Sequence, residues 1–182
     1  MGKIKTLYLI RNAKSDWNDI GASDFERGIT KKGKKDIQTM SSYLMLKNIS
    51  PDIILSSCAL RAQETADIIS QNLEYKGKIE YLQELYYTPT ATLLDILYMQ
   101  DSSTNMVFVV GHNPQLTDMA NLLIDEHISK IPSSGIISID FDISDWSELS
   151  YKKGKVDFFI TPKQFKYYVP KQIRTILDNT KR

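Results

Sequence analysis

Cysteine is nearly absent from this sequence: Cys58 is the one thiol in 182 residues. A single thiol cannot form an internal disulfide, and a thiolate metal cluster is excluded with it. Histidine is almost as scarce, with only His112 and His127, so no catalytic metal site is expected. An excess of charge of either sign is missing too. Lys and Arg number 23 against 22 Asp and Glu, a formal net charge of +1. That balance leaves no footprint for nucleic acid or for a membrane surface. The apolar run near the N-terminus is too short to span a bilayer, and no signal-peptide cleavage pattern follows it. Gly2 matches a myristoylation signal weakly, with Thr6 as its sole support, and a plain structural start is the better reading. The expected location is therefore the cytoplasm. No glycine-rich phosphate loop, dinucleotide motif, internal repeat or interdomain linker is present.

What remains reads as a globular chain, 42% apolar and 25% charged, with one domain expected over residues 1–182. Residues 6–10, Thr-Leu-Tyr-Leu-Ile, form a short β-type run that stops at Arg11. A polar stretch follows to about Gly28. Thr30 is a good N-cap for a helix to about Lys47, with Ile37, Met40 and Leu44 at helical spacing. Strands are expected at residues 52–55, 79–82 and 106–110, and helices at 60–73, from Pro89-Thr90 onward, and 115–125. Beyond Pro132 the pattern changes to two strands, 136–141 and 156–160, with no helix between them, so they should pair antiparallel. A final helix is expected at 171–181. The alternation implies an α/β fold: a three-layer sandwich with a largely parallel central sheet flanked by helices, and antiparallel strands near the C-terminus.

Three of these strands lead into polar residues of one kind. The first ends at Arg11, the second is followed by Arg61, and the fourth ends near His112. Ligands of open α/β sheets bind beyond the carboxyl ends of the strands. Two guanidiniums and an imidazole could thus meet there, and arginine's planar fork suits a phosphate. Either arginine taken alone reads better as a surface ion-pair partner; three such strand ends together favour the phosphate site.

The run Leu7-Tyr8-Leu9-Ile10-Arg11-Asn12-Ala13-Lys14-Ser15-Asp16-Trp17 resembles the opening of the histidine phosphatase superfamily, which also contains the phosphoglycerate mutases. The nearest subgroup is the SixA-type phosphohistidine phosphatases. Ser23-Asp24-Phe25-Glu26-Arg27, the run from Leu55 through Arg61 to Ala66, and Val110-Gly111-His112-Asn113-Pro114 continue the match. The resemblance implies metal-independent hydrolysis in two steps, through a phosphohistidine and without a cofactor. It implies that Arg11 and Arg61 clamp the phosphoryl group, that His112 donates a hydrogen bond or charge to it, and that Ser15 sits near the pocket. Glu84 lies where relatives can carry a proton donor, and reads equally as an exposed carboxylate. The implied ligands are a phosphorylated protein bearing phosphohistidine or a small phosphoester, with inorganic phosphate or sulfate able to fill the pocket.

At the nucleophile position of that pattern stands Asn12. Its amide nitrogen delocalises its lone pair into the carbonyl, so it donates hydrogen bonds but does not attack phosphorus. The pocket should survive and the covalent step should fail. Two origins fit: an engineered substitution that traps a bound state, or a natural pseudoenzyme that binds phosphorylated ligands. Attack by His112 instead conflicts with its place alongside the phosphate. Gly28-Ile29 stands where relatives often have Pro-Leu, and Cys58 where Pro is common. Cys58 lies too close to Arg61 for a cysteine-phosphatase loop. Trp17, Tyr86 and Tyr87 could line a substrate mouth or pack, with packing favoured for the tyrosines. Lys31, Lys32, Lys34 and Lys35 read as a solvated helix face.

Overall fold

A computed structural model describes residues 4–18 and 20–168. The strands are β1 (Ile4–Arg11), β2 (Ile53–Ser57), β3 (Ile79–Leu82), β4 (Met106–Gly111), β5 (Ile136–Asp142) and β6 (Lys155–Ile160). The helices are α1 (Lys31–Leu46), α2 (Leu60–Asn72), α3 (Thr90–Tyr98), α4 (Gln115–Leu123) and α5 (Pro162–Tyr168). One six-stranded sheet runs in the order β3-β2-β4-β1-β5-β6. The pairs β3–β2, β2–β4 and β4–β1 are parallel. β5 pairs antiparallel with both β1 and β6. The sequence led only to a β5–β6 pair, because nothing in the pattern of β1 marks which strand covers its second edge.

The period of two along each strand divides the core between the two faces of the sheet. In β1, Leu7 and Leu9 join Leu55, Val107 and Val109 on one face, under α3 and α4. Tyr8 and Ile10 join Ile54, Phe108 and Val110 on the other, under α1 and α2. These central strands read as apolar throughout because both faces are covered. The result is the α/β sandwich of three layers.

Thr30 caps α1 as its sequence predicts, with its hydroxyl accepting from the Gly33 amide at 2.9 Å. The four lysines of its first turns are exposed, and Lys32 pairs with Asp36. α5 was not foreseen; Pro162 at its first position suits a helix start, where its missing N–H costs nothing. The expected helix at 171–181 and Gly2 lie outside the described residues. No described helix is long and apolar enough to cross a membrane.

Candidate active site

Sheet order explains why residues a hundred positions apart meet. β1 and β4 are neighbours in parallel register, with Arg11 opposite Gly111. One residue on, the Asn12 amide donates to the Gly111 carbonyl at 2.9 Å. On the other side of β4, Ser56 stands opposite Val110, so Ser57 arrives beside the segment that turns into His112. Arg61 follows in the first turn of α2. Arg11, Asn12, Ser57, Arg61 and His112 gather at the carboxyl edge of the sheet, where α1 and α4 lie on opposite faces.

A chain of hydrogen bonds crosses the site. Asn12 Nδ2 donates to the Ala13 carbonyl at 2.9 Å, which turns Oδ1 toward His112 Nδ1 at 3.1 Å. His112 Nε2 lies 2.7 Å from Ser57 Oγ. An amide oxygen only accepts, so Nδ1 carries the proton and Nε2 accepts from the Ser57 hydroxyl. His112 is buried, and burial together with the nearby charge of Arg61 lowers its pKa to about 3. The ring is therefore neutral near pH 7 and fixed in one tautomer. Tyr87 stacks on it, with centroids 5.6 Å apart, and Tyr86 meets it edge-on.

These groups open into a cavity of about 320 Å³, whose wall includes Arg11, Asn12, Lys14, Arg27, Arg61 and His112. Arg11 donates to the Ile131 carbonyl at 3.0 Å, and burial lowers its pKa. Among the described residues, no carboxylate pairs with Arg11 or Lys14. Arg61 donates to the Asp24 carbonyl at 2.6 Å, to Asp24 Oδ2 at 3.1 Å and to the Tyr87 hydroxyl at 3.1 Å. Arg27 donates to Asp24 Oδ1 and to Ser15 Oγ, and lies under the exposed ring of Trp17, 3.6 Å from its centroid. Such a wall of guanidiniums and one lysine can hold a multiply charged oxyanion.

The structure thus brings together Arg11, Asn12, Ser15, Arg61 and His112. It does not bring Glu84 to the cavity: that side chain is exposed on the short turn Gln83–Leu85 and is absent from the wall. Cys58 also stays off the wall. Tyr87 is not a packing residue, as the sequence suggested for both tyrosines. It is 57% exposed and lines the cavity with a left-handed backbone (φ 50). Ser57, Asp24, Arg27 and Thr65 were missed as site residues. Thr65 accepts from the Ala13 amide at 3.0 Å and so ties α2 to the end of β1. All four lay inside the matching motifs, which was the one signal for them. Among the described residues, no group of three or more His, Cys, Asp and Glu could hold a metal ion.

A family model, the histidine phosphatase superfamily (branch 1), matches residues 7–89. The fold is similar to that of the protein histidine phosphatase SixA, solved with tungstate (TM-score 0.77, 21% identity, 88% of this chain and 99% of that one). It is also similar to a candidate phosphohistidine phosphatase SixA from Agrobacterium tumefaciens (TM-score 0.76, 26% identity, 87% of this chain and 98% of that one). A stretch of 86 residues is 35% identical to the mitochondrial serine/threonine-protein phosphatase Pgam5 of Drosophila ananassae, covering 45% of this chain. The chain spans 29% of Pgam5's length, and 59% of a chloroplastic Arabidopsis thaliana protein that it matches at 25% identity.

Proposed function

We propose that this chain, which matches the histidine phosphatase superfamily model over residues 7–89, has a SixA-type phosphoryl pocket that binds phosphorylated ligands without turning them over. In this reading the ligand is a phosphohistidine on a protein, or a phosphoester, and one domain carries the whole site. Arg11 and Arg61 clamp the phosphoryl oxygens, His112 lies alongside with its Nδ1–H held by Asn12, and Ser15 braces Arg27 at the wall. Glu84 has no part, and no metal is needed, since positioning and charge stabilisation supply most of what phosphoryl transfer requires.

The observation that carries the proposal is the chain Asn12–His112–Ser57. Asn12 occupies the attacking position with an amide that cannot attack. His112 cannot take over, because its free lone pair is on Nε2, turned away from the cavity toward the buried Ser57 hydroxyl. The clamp is complete while both nitrogens that could receive the phosphoryl group are disabled.

The test is Asn12→His. As it stands, the chain should hydrolyse phosphohistidine peptides and p-nitrophenyl phosphate at a rate some 10⁴–10⁶ below the restored enzyme, the order of loss that follows removal of a nucleophile. Asn12→His should restore hydrolysis and yield an acid-labile phosphate on residue 12, detected by rapid quench and mass spectrometry. Ordinary turnover by the unsubstituted chain would overturn the proposal.

A further inference from the structure

Asp24, in the run Ser23-Asp24-Phe25-Glu26-Arg27, has no part in the reading above, yet its carboxylate accepts four hydrogen bonds at the site. Its Oδ1 accepts from Arg27 Nε at 3.1 Å and Nη2 at 2.6 Å. Its Oδ2 accepts from Arg61 Nη2 at 3.1 Å and from the Tyr86 hydroxyl at 2.7 Å. Its backbone carbonyl takes a further bond from Arg61 Nη1 at 2.6 Å. A carboxylate offers about four acceptor sites, and all are used. Phe25 adds an edge contact on Tyr86 at 5.1 Å, while the turn Asp24–Glu26 buries no residue of its own. This side chain thus helps tie the loop that carries Trp17 and Arg27 to α2, where Glu64 also accepts from the Ile29 amide at 2.7 Å.

We propose that Asp24 is a positioning residue of the pocket, a single carboxylate that aligns Arg27 and Arg61 so that their remaining N–H groups stay available to an anion. The inference rests on the phosphoryl-pocket reading for what the cavity binds. It deepens that reading by adding Arg27 to the clamp and by naming what orders the clamp before a ligand arrives. An arginine side chain has a large rotamer entropy to lose, and a fork already ordered in the free protein loses less of it on binding. Burial pushes the Asp24 carboxyl pKa up, but the bonds from Arg27 and Tyr86 and the charge of Arg61 outweigh it and hold it at about 2. The carboxylate thus stays ionised wherever the protein is handled.

Charge and positioning predict opposite signs. Removing a negative charge from just behind the wall of an anion pocket should tighten anion binding if charge alone matters. Under the proposal, Asp24→Asn weakens it. The asparagine NH₂ must face either the two Arg27 donors or the Arg61 and Tyr86 donors, so one fork is repelled whichever way the amide turns.

The experiment compares the unsubstituted chain, Asp24→Asn and Asp24→Glu, the last keeping the charge while displacing it. Two quantities are measured: the Nε–H resonances of Arg27 and Arg61 in the ligand-free protein, and the Kd for tungstate by calorimetry. Both variants should lose or broaden the two Nε–H signals while the backbone spectrum away from residues 15–28 is kept, and should bind tungstate on the order of tenfold more weakly. Unchanged Nε–H signals in both variants, or tungstate binding as tight as in the unsubstituted chain or tighter, would overturn the proposal. If the unsubstituted chain fails to bind tungstate while the variants lose the arginine signals, the pocket reading fails and the positioning role stands.

Discussion

The side chain of Asn12 can rotate its amide to offer either a donor or an acceptor, and its neighbours decide which. The Ala13 carbonyl claims Nδ2, so Oδ1 faces His112 and the protons on the imidazole are settled in turn. A pH prediction follows at this scale. His112 should show the neutral Nδ1–H tautomer in its ¹⁵N spectrum and should not titrate between about pH 8 and pH 5; a midpoint near 6.5 would contradict the bonding described. The same group affects stability. Its folded pKa, about 3, lies below the ordinary 6.5, so below pH 6.5 the unfolded chain binds the extra proton. The stabilisation is complete above 6.5 and is lost as pH falls toward 3, with a limiting slope of about 1.4 kcal/mol per pH unit. Asp24, held at about 2 against an ordinary 3.8, adds a loss in the same direction at the acid end. His112→Gln should flatten the upper part of that profile in chemical denaturation across pH.

Among the elements, α1 shows how a helix without any pocket residue still shapes the pocket. A Cβ on Gly33 would lie 2.4 Å from the Lys14 carbonyl oxygen and 2.9 Å from the Lys14 nitrogen. Both are backbone atoms, so neither can swing aside. The Thr30 amide also donates to that carbonyl, at 2.8 Å. Gly33 thus allows the first turn of α1 to sit directly on the segment after β1, which carries Asn12, Lys14 and Ser15. Gly33→Ala would gain helix propensity in an isolated peptide. Here it should destabilise the protein by about 1–3 kcal/mol through overpacking and weaken anion binding with it. Urea denaturation and a tungstate titration measure the two effects; an unchanged or raised stability would show that the contact is not rigid.

Across the whole molecule the charges nearly cancel, at +1, yet Arg11, Lys14, Arg27 and Arg61 share one cavity wall. Folding gathers an unremarkable composition into a locally cationic wall. An oxyanion that binds only the folded state should raise Tm; at a hundred times Kd the gain is about 2.7 kcal/mol. Phosphate, vanadate and tungstate should all produce the shift, and Arg61→Ala should abolish most of it, since it removes one of two clamping forks. A full shift retained in Arg61→Ala would place the anion elsewhere. Chelator should change neither the shift nor the activity restored by Asn12→His; loss of either, reversed by a divalent ion, would contradict metal-independent chemistry.

Much of this protein is legible from residue order alone. The apolar runs of β1, β2 and β4, the Thr30 cap and the spacing of Ile37, Met40 and Leu44 act over a few residues, and local sterics and burial determine them. Arg11, Arg61 and His112 were legible because each follows an apolar strand, and strand ends share one edge of a parallel sheet. The departure at Asn12 needs no coordinates, since an amide lacks a nucleophilic lone pair in any fold. Tertiary structure alone decided the rest. Which tautomer His112 adopts depends on Ser57 and Asn12, 55 and 100 positions away. Tyr87 opens to the cavity and Glu84 stays outside it because of how the turn at Gln83–Leu85 leaves β3, a geometry that neither side chain encodes. Asp24 reads in the sequence as one acid in a polar loop; only the approach of α2 sets Arg61 against it and makes it the joint between two arginines. Hydrogen-bond partners are chosen by distance in space, and that distance is settled by packing far from the residues that bond.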